Sequence, residues 1–159
     1  MRVVPISDLQ SDQYWLGTTL IREMSATHLQ NSLRMLRRDP IGTLHGVQTA
    51  IARQHALTTH EVSIPFTPLP VAERLVHKWQ LRQAVNEVAD TLPDNERSSM
   101  LISVIDLPSA DEIETRALRW IIKQPTYKAM RRRLIWMIEH GEANVNDVDP
   151  EDFSDRTPL

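Results

Sequence analysis

The sequence has no cysteine, only 4 glycines and 5% aromatic residues among its 159 positions. Without cysteine, the chain can form neither a disulfide nor a metal site with thiolate ligands. The few glycines leave little material for phosphate-binding loops, and neither G-x-G-x-x-G nor G-x-x-x-x-G-K-S/T occurs. No apolar run approaches the roughly 20 residues that cross a bilayer, and the first residues lack a signal peptide's apolar stretch. We therefore expect a soluble, cytoplasmic protein without membrane contact.

Charged residues make up 25% of the sequence, and they are distributed unevenly around a formal net charge of −3. Residues 1–70 carry 6 basic and 5 acidic side chains, residues 71–143 carry 11 of each, and residues 144–159 carry 1 and 5. The last segment is therefore the only strongly polarised one, and we interpret it as an acidic tail.

The first part of the chain mixes short strands with helices. β-Branched and aromatic residues at 2–6 and 14–21 indicate strands of a small sheet. Ser25 has the character of an N-cap for a helix that ends near residue 38, because leucines follow it at helical spacing. A second helix is expected at about residues 44–55.

Beyond a proline-rich connector at residues 64–70, the pattern becomes helical. Helices are expected at about residues 71–92, 110–124 and 127–140. The period of the apolar run at residues 100–107 fits a buried helix or a strand, and the residues 93–96 before it favour a helix start. The sequence thus predicts an α+β, mostly helical fold, in which a small N-terminal strand unit with two helices precedes a bundle of about four helices. The predicted subregions are 1–66 (strands and helices), 71–143 (helical) and 144–159 (acidic tail).

The sequence offers no pattern that names a catalytic centre. Its six histidines form no H-E-x-x-H pair, and no G-x-S-x-G surrounds Ser98, Ser99 or Ser103. We therefore predict a protein that is not an enzyme and that needs neither a cofactor nor a metal ion.

Basic residues in the last predicted helix suggest nucleic-acid binding as one alternative. The stretch from residue 125 to Gly141 resembles the recognition helix of winged-helix regulators in its turn, basic start and glycine stop. The candidate DNA contacts are Lys128, Arg131, Arg132 and Arg133. An ordinary helical hairpin with a solvated basic face explains the same residues, and no alternating strand pair follows Gly141.

The same helix suggests a protein interface. Trp136 lies between Ile135 and Met137, so the helix is apolar on more than one face and is either central in the fold or in contact with a partner. Together with Trp136, the tail supplies the predicted partner-binding residues: Phe153, Asp147, Asp149, Glu151 and Asp152. A partner with a basic surface would suit this acidic tail.

A segment near the N-terminus carries a Trp and a Gly in a predicted strand pair, followed by the pattern I-x-x-M-S-x-x-H-L-x-N. Its residues are Trp15, Gly17, Ile21, Met24, Ser25, His28, Leu29 and Asn31. The segment resembles small, largely uncharacterised proteins of tailed phages and prophages, in which a strand pair around Trp and Gly leads through I-x-x-M-S/T into a helix with H-L-x-N. The resemblance implies a phage origin and hence the host cytoplasm, and it places His28 and Asn31 on a polar flank of the first helix.

Our leading hypothesis from the sequence is a phage-type binding protein that inhibits or redirects a host or phage machine through protein contacts. A DNA-binding regulator of helix-turn-helix type is the first alternative, and a virion or assembly component, such as a homo-oligomer, is the second.

Overall fold

The computed structural model describes residues 7–16, 19–59, 71–103 and 107–144. The strand predicted at residues 2–6, the proline-rich connector and the acidic tail after Asn144 lie outside the described residues.

The described part of the chain is mostly helical, with a two-stranded antiparallel sheet near the N-terminus, as predicted. The strands are β1 (Tyr14–Trp15) and β2 (Thr19–Leu20), and short 3-10 turns flank them at Ser7–Gln10 and Ile21–Glu23. The helices are α1 (Ala26–Arg38), α2 (Pro40–Thr59), α3 (Val71–Asp90), α4 (Asp94–Ser103), α5 (Ala110–Ile122) and α6 (Pro125–Glu139).

Local signals place several helix ends as expected. Ser25 Oγ accepts a hydrogen bond from the backbone N–H of His28 at 3.1 Å, and Ser109 Oγ accepts one from Glu112 at 3.2 Å. Each such cap contributes about 1 kcal/mol. After α6, Gly141 adopts a φ of +74°, the left-handed conformation that ends a helix.

The second helix is longer than the sequence indicated, because it begins at Pro40 directly after Asp39. Asp39 Oδ1 accepts a hydrogen bond from the backbone N–H of Gly42 at 3.1 Å, and Pro40 occupies the first turn, where its missing N–H costs nothing. The same Asp-Pro pair therefore ends α1 and starts α2.

One apolar core joins the helices. Leu29, Leu33 and Leu36 of α1 are fully buried, as are Met130 and Leu134 of α6. Core residues of α2, α3 and α5 belong to the same cluster, together with Trp15 of β1. The end of α1 lies beside the start of α6, because Arg37 Nη1 donates a hydrogen bond to Tyr127 Oη at 2.6 Å.

Candidate functional site

The helix α6 separates its apolar and basic residues onto two faces. Its buried side chains are Thr126, Tyr127, Met130, Leu134 and Met137. Lys128, Arg132 and Trp136 follow one another at intervals of four on the exposed side. Arg131 and Arg133 are half-buried at the flanks, so the apolar stripe itself turns the basic residues towards the surface.

Positive charge is concentrated on the packed pair α1 and α6. The two helices carry seven basic side chains and one acidic side chain, which is a formal +6 within a chain of −3. The basic residues are Arg34, Arg37, Arg38, Lys128, Arg131, Arg132 and Arg133. Such segregation produces a local positive potential that the net charge of the whole chain conceals.

An open groove of about 410 Å³ lies between α6 and the N-terminal strand unit. Arg132 and Arg133 line it from α6, Arg22 lines it from the turn after β2, and Asp12 and Tyr14 line it from the β1 side. We call Arg22, Arg132 and Arg133 the groove arginines. They come from distant parts of the sequence and converge because the strand unit packs on α6.

The groove arginines have no polar partner within the part of the chain that the structure describes. None of their side chains makes a hydrogen bond or an ion pair there, and the Nε atom of Arg133 is buried without an acceptor. Arginine does not deprotonate in proteins, so the groove carries three positive charges against the one carboxylate of Asp12. An anion bound in the groove would offset the excess positive charge and would accept charge-assisted hydrogen bonds.

A stack of side chains holds Arg133 in place. Its guanidinium carbon lies 4.5 Å from the centroid of the Trp136 ring, a cation–π contact. The Trp136 ring is in turn stacked on His140, with centroids 4.0 Å apart and planes 21° apart. His140 Nδ1 is 2.8 Å from the Trp136 carbonyl oxygen, to which the Nδ1–H form donates. The exposed indole therefore already has two contacts, one with Arg133 in α6 and one with His140 directly after it.

Hydrogen bonds also fix the opposite wall of the groove. Ser11 Oγ accepts from the backbone N–H groups of Gln13 at 3.1 Å and Tyr14 at 3.2 Å. The Ser11 carbonyl oxygen accepts from Thr126 Oγ1, and Thr126 is fully buried at the start of α6. The backbone N–H of Ile21 donates to the Gln13 carbonyl at 3.0 Å. The strand unit is thus tied to the helix that carries Arg132 and Arg133.

The predicted site residues are only partly brought together. Arg132 and Arg133 enter the groove, whereas Lys128 stays on the exposed face of α6 outside it. Arg37 and Arg131 already make contacts within the protein. Among the predicted partner-binding residues Trp136 is 39% exposed. The tail residues lie outside the described residues: Phe153, Asp147, Asp149, Glu151 and Asp152.

The connection between α5 and α6 is as short as a helix-turn-helix requires, since only Lys123 and Gln124 separate them. The start of α6 is nevertheless packed into the protein, because Thr126 and Tyr127 are buried. In a helix-turn-helix protein the first residues of the second helix contact base edges in the major groove. Those positions of α6 instead bind Ser11 and Arg37.

His28 and Asn31, which the phage resemblance singles out, line a second groove of about 470 Å³ between α1 and α2. Both residues are exposed, and neither side chain makes a hydrogen bond with another residue that the structure describes. The groove is mostly apolar and includes Met35 and Gly46.

Within the described ranges, no three His, Cys, Asp or Glu side chains come close enough to bind a metal ion. No helix there has the length and apolar character needed to span a bilayer.

Comparison with protein-family models, curated proteins and solved structures gives no match. The resemblance to phage proteins therefore stays a prediction, and function has to be inferred from the chemistry of the residues themselves.

Proposed function

We propose that this protein is a binding protein and that nucleic acid is the partner of its α6 face and groove. The observation that carries the proposal is the convergence on one open groove of three arginines that have no polar partner among the described residues. Guanidinium groups bind phosphate oxygens through paired hydrogen bonds, so a phosphate backbone suits this arrangement.

The extent of the positive surface favours a long anion over a small one. Lys128 continues the exposed face of α6 one turn before Arg132. The three arginines of α1 add positive charge near α6, and each of them already has an interaction within the protein. A polyanion could contact the groove and this neighbouring surface together. A single small anion would engage the groove alone.

The test is a fluorescence anisotropy titration of a labelled 20-nucleotide DNA, measured at 50 mM and 200 mM NaCl. Arg22→Ala/Arg132→Ala/Arg133→Ala removes the groove arginines. Arg74→Ala/Arg116→Ala/Arg119→Ala is the matched control, since it removes the same charge from exposed positions outside the groove. Circular dichroism and thermal unfolding check that both variants remain folded.

We expect wild-type affinity to fall roughly 20-fold between the two salt concentrations, as three phosphate contacts to a single strand predict. The groove variant should bind at least 30-fold more weakly at 50 mM NaCl, and the control variant should stay within about 3-fold. Equal losses in both variants, or no binding by the wild type at 50 mM NaCl, would overturn the proposal.

A second candidate is the protein-contact function predicted from the sequence, in which a phage-type protein engages a host or phage protein through Trp136 and the acidic tail. The excess of five acidic over one basic residue at 144–159 and the 39% exposure of Trp136 favour it. In a pull-down from the native host, the full chain and a chain ending at Gly141 would be compared by mass spectrometry. A specific protein that the truncated chain retains at full strength would exclude a role for the tail.

A further inference from the structure

We infer that the groove binds single-stranded nucleic acid, with an unpaired base stacked on Tyr14 and the adjoining phosphates on the groove arginines. This inference rests on the proposed function and specifies its substrate class.

The strand pair places the Tyr14 ring outwards. Tyr14 pairs with Leu20 and Trp15 pairs with Thr19, so the two aromatic side chains of β1 point to opposite faces. Trp15 is 2% exposed in the core, whereas Tyr14 is 37% exposed and lines the groove. Its hydroxyl makes no hydrogen bond with any residue that the structure describes. Tyr14 is therefore an aromatic surface without an internal role in this part of the molecule.

An aromatic surface beside cations is the combination by which proteins bind single strands. Bases stack on the aromatic ring, and the phosphate backbone lies along the positive charge. Each stacked base contributes to affinity whatever its identity, because every base has a π-face. In a duplex the bases are stacked on each other and cannot reach Tyr14. Stacking on the Tyr14 ring therefore favours single-stranded over double-stranded nucleic acid.

The size and the remaining lining of the groove agree with this substrate. A volume of about 410 Å³ is that of a pocket for a small ligand, such as one nucleotide, rather than the footprint of a double helix. Asp12 and Gln13 line the groove as well, and a carboxylate and an amide can hydrogen-bond the edges of bases. The edges used in base pairing are accessible only when the base is unpaired.

The position of α6 argues against the duplex. The first turn of α6 would have to enter the major groove, but Thr126 and Tyr127 are buried against Ser11 and Arg37. The basic residues of α6 that remain accessible can contact a phosphate backbone without insertion of α6 into the major groove of a duplex.

Three probes of the same length and label test this inference by anisotropy: a 12-nucleotide single strand, the duplex made from it, and a strand with abasic sites in place of all bases. An RNA single strand of the same sequence shows which sugar is preferred. The variants are Tyr14→Leu, which keeps an apolar side chain but removes the aromatic ring, and Tyr14→Phe, which keeps the ring.

We expect the wild type to bind the single strand at least 10-fold more tightly than the duplex. Tyr14→Leu should weaken single-strand binding by about 5-fold to 100-fold, which is the range for one stacked base. Tyr14→Phe should stay within about 2-fold of the wild type. The abasic strand should bind the wild type and Tyr14→Leu equally, because it has no bases that could stack on the Tyr14 ring.

The outcomes separate the two proposals. If the duplex binds as tightly as the single strand and removal of the groove arginines abolishes both, the inference is wrong and the proposed function stands. If the abasic strand binds the wild type as tightly as the normal strand, stacking on Tyr14 is excluded. If no probe binds, both proposals fail.

Discussion

Arg97, in the first turn of α4, differs from the groove arginines in what surrounds its guanidinium group. Arg97 Nε donates to the Ala89 carbonyl at 2.9 Å, and Nη2 makes longer contacts with the carbonyls of Asp90 at 3.4 Å and Leu92 at 3.5 Å. Its Nη1 lies 3.8 Å from Asp94 Oδ1. The groove arginines make no comparable bonds among the described residues.

The difference teaches what each kind of arginine is for. Arg97 satisfies carbonyl groups at the end of α3 that have no partner within the helix, and a cation there also interacts favourably with the helix dipole. Its interactions stabilise the fold. Among the described residues the groove arginines make no hydrogen bond or ion pair, and Arg133 has a cation–π contact with Trp136, so their N–H donors remain available to a ligand. Three substitutions sharpen or break this contrast.

The largest effect on stability is expected for Arg97→Met, which keeps the length and the apolar part of the side chain but removes its donors. The Ala89 carbonyl loses the guanidinium donor and keeps only the N–H of Leu92, so the free energy of unfolding should fall by about 1 kcal/mol in urea denaturation. Arg74→Met, at an exposed position of α3, is the control and should change it by less than about 0.5 kcal/mol. If Arg97→Met left stability unchanged but weakened DNA binding, the contrast between the two kinds of arginine would be wrong.

A similar effect on stability is expected for Thr126→Val. The variant preserves the shape of a fully buried side chain but removes the donor to the Ser11 carbonyl, which should cost about 1 kcal/mol in the free energy of unfolding. Because this hydrogen bond connects α6 to the segment that carries Tyr14, the affinity for single-stranded DNA should also fall several-fold. The control is Thr115→Val on α5, whose hydroxyl donates to the Asp111 carbonyl at an exposed site. Equal binding by the two variants would show that the tie does not position the groove.

The smallest effect is expected for Trp136→Leu, which removes the cation–π contact with Arg133. An exposed contact of this kind contributes about 0.5–1 kcal/mol. Since Arg133 would lose its fixed orientation, affinity for single-stranded DNA should fall about 2-fold to 5-fold, with little change in unfolding. Trp136→Phe retains an aromatic face and should recover part of the loss in the same titration. A loss of binding to a protein partner without any change in DNA affinity would instead favour the interface predicted for Trp136.

Much of the fold could be predicted because its signals are local. The Ser25 and Ser109 side chains accept hydrogen bonds at the N-termini of α1 and α5. The leucines of α1 are buried on one face, as their helical spacing predicted. The start of α2 at Pro40 lies four residues before the predicted start at residue 44, because leucine spacing does not show that Asp39 caps a new helix. The same short motif can end one helix and start the next, and spacing alone does not show this.

Part of the candidate site could also be predicted from a local signal. The run of basic residues in α6 indicated Arg132 and Arg133 as candidate contacts, but it did not show which of the four basic side chains would line a groove. Arg22 and Tyr14 carried no signal of this kind. A single arginine after a strand and a single tyrosine within one are ordinary residues until a second element lies opposite them.

The sequence by itself determined the local structure: where helices are capped, which stripe of each helix is apolar, and that α1 and α6 are rich in basic residues. These properties depend on neighbours within a few positions along the chain. Only the tertiary structure decided that Arg22 and Tyr14 would face Arg132 and Arg133 across one groove, because burial of Trp15 and the bond from Thr126 to Ser11 join segments that are distant in the sequence.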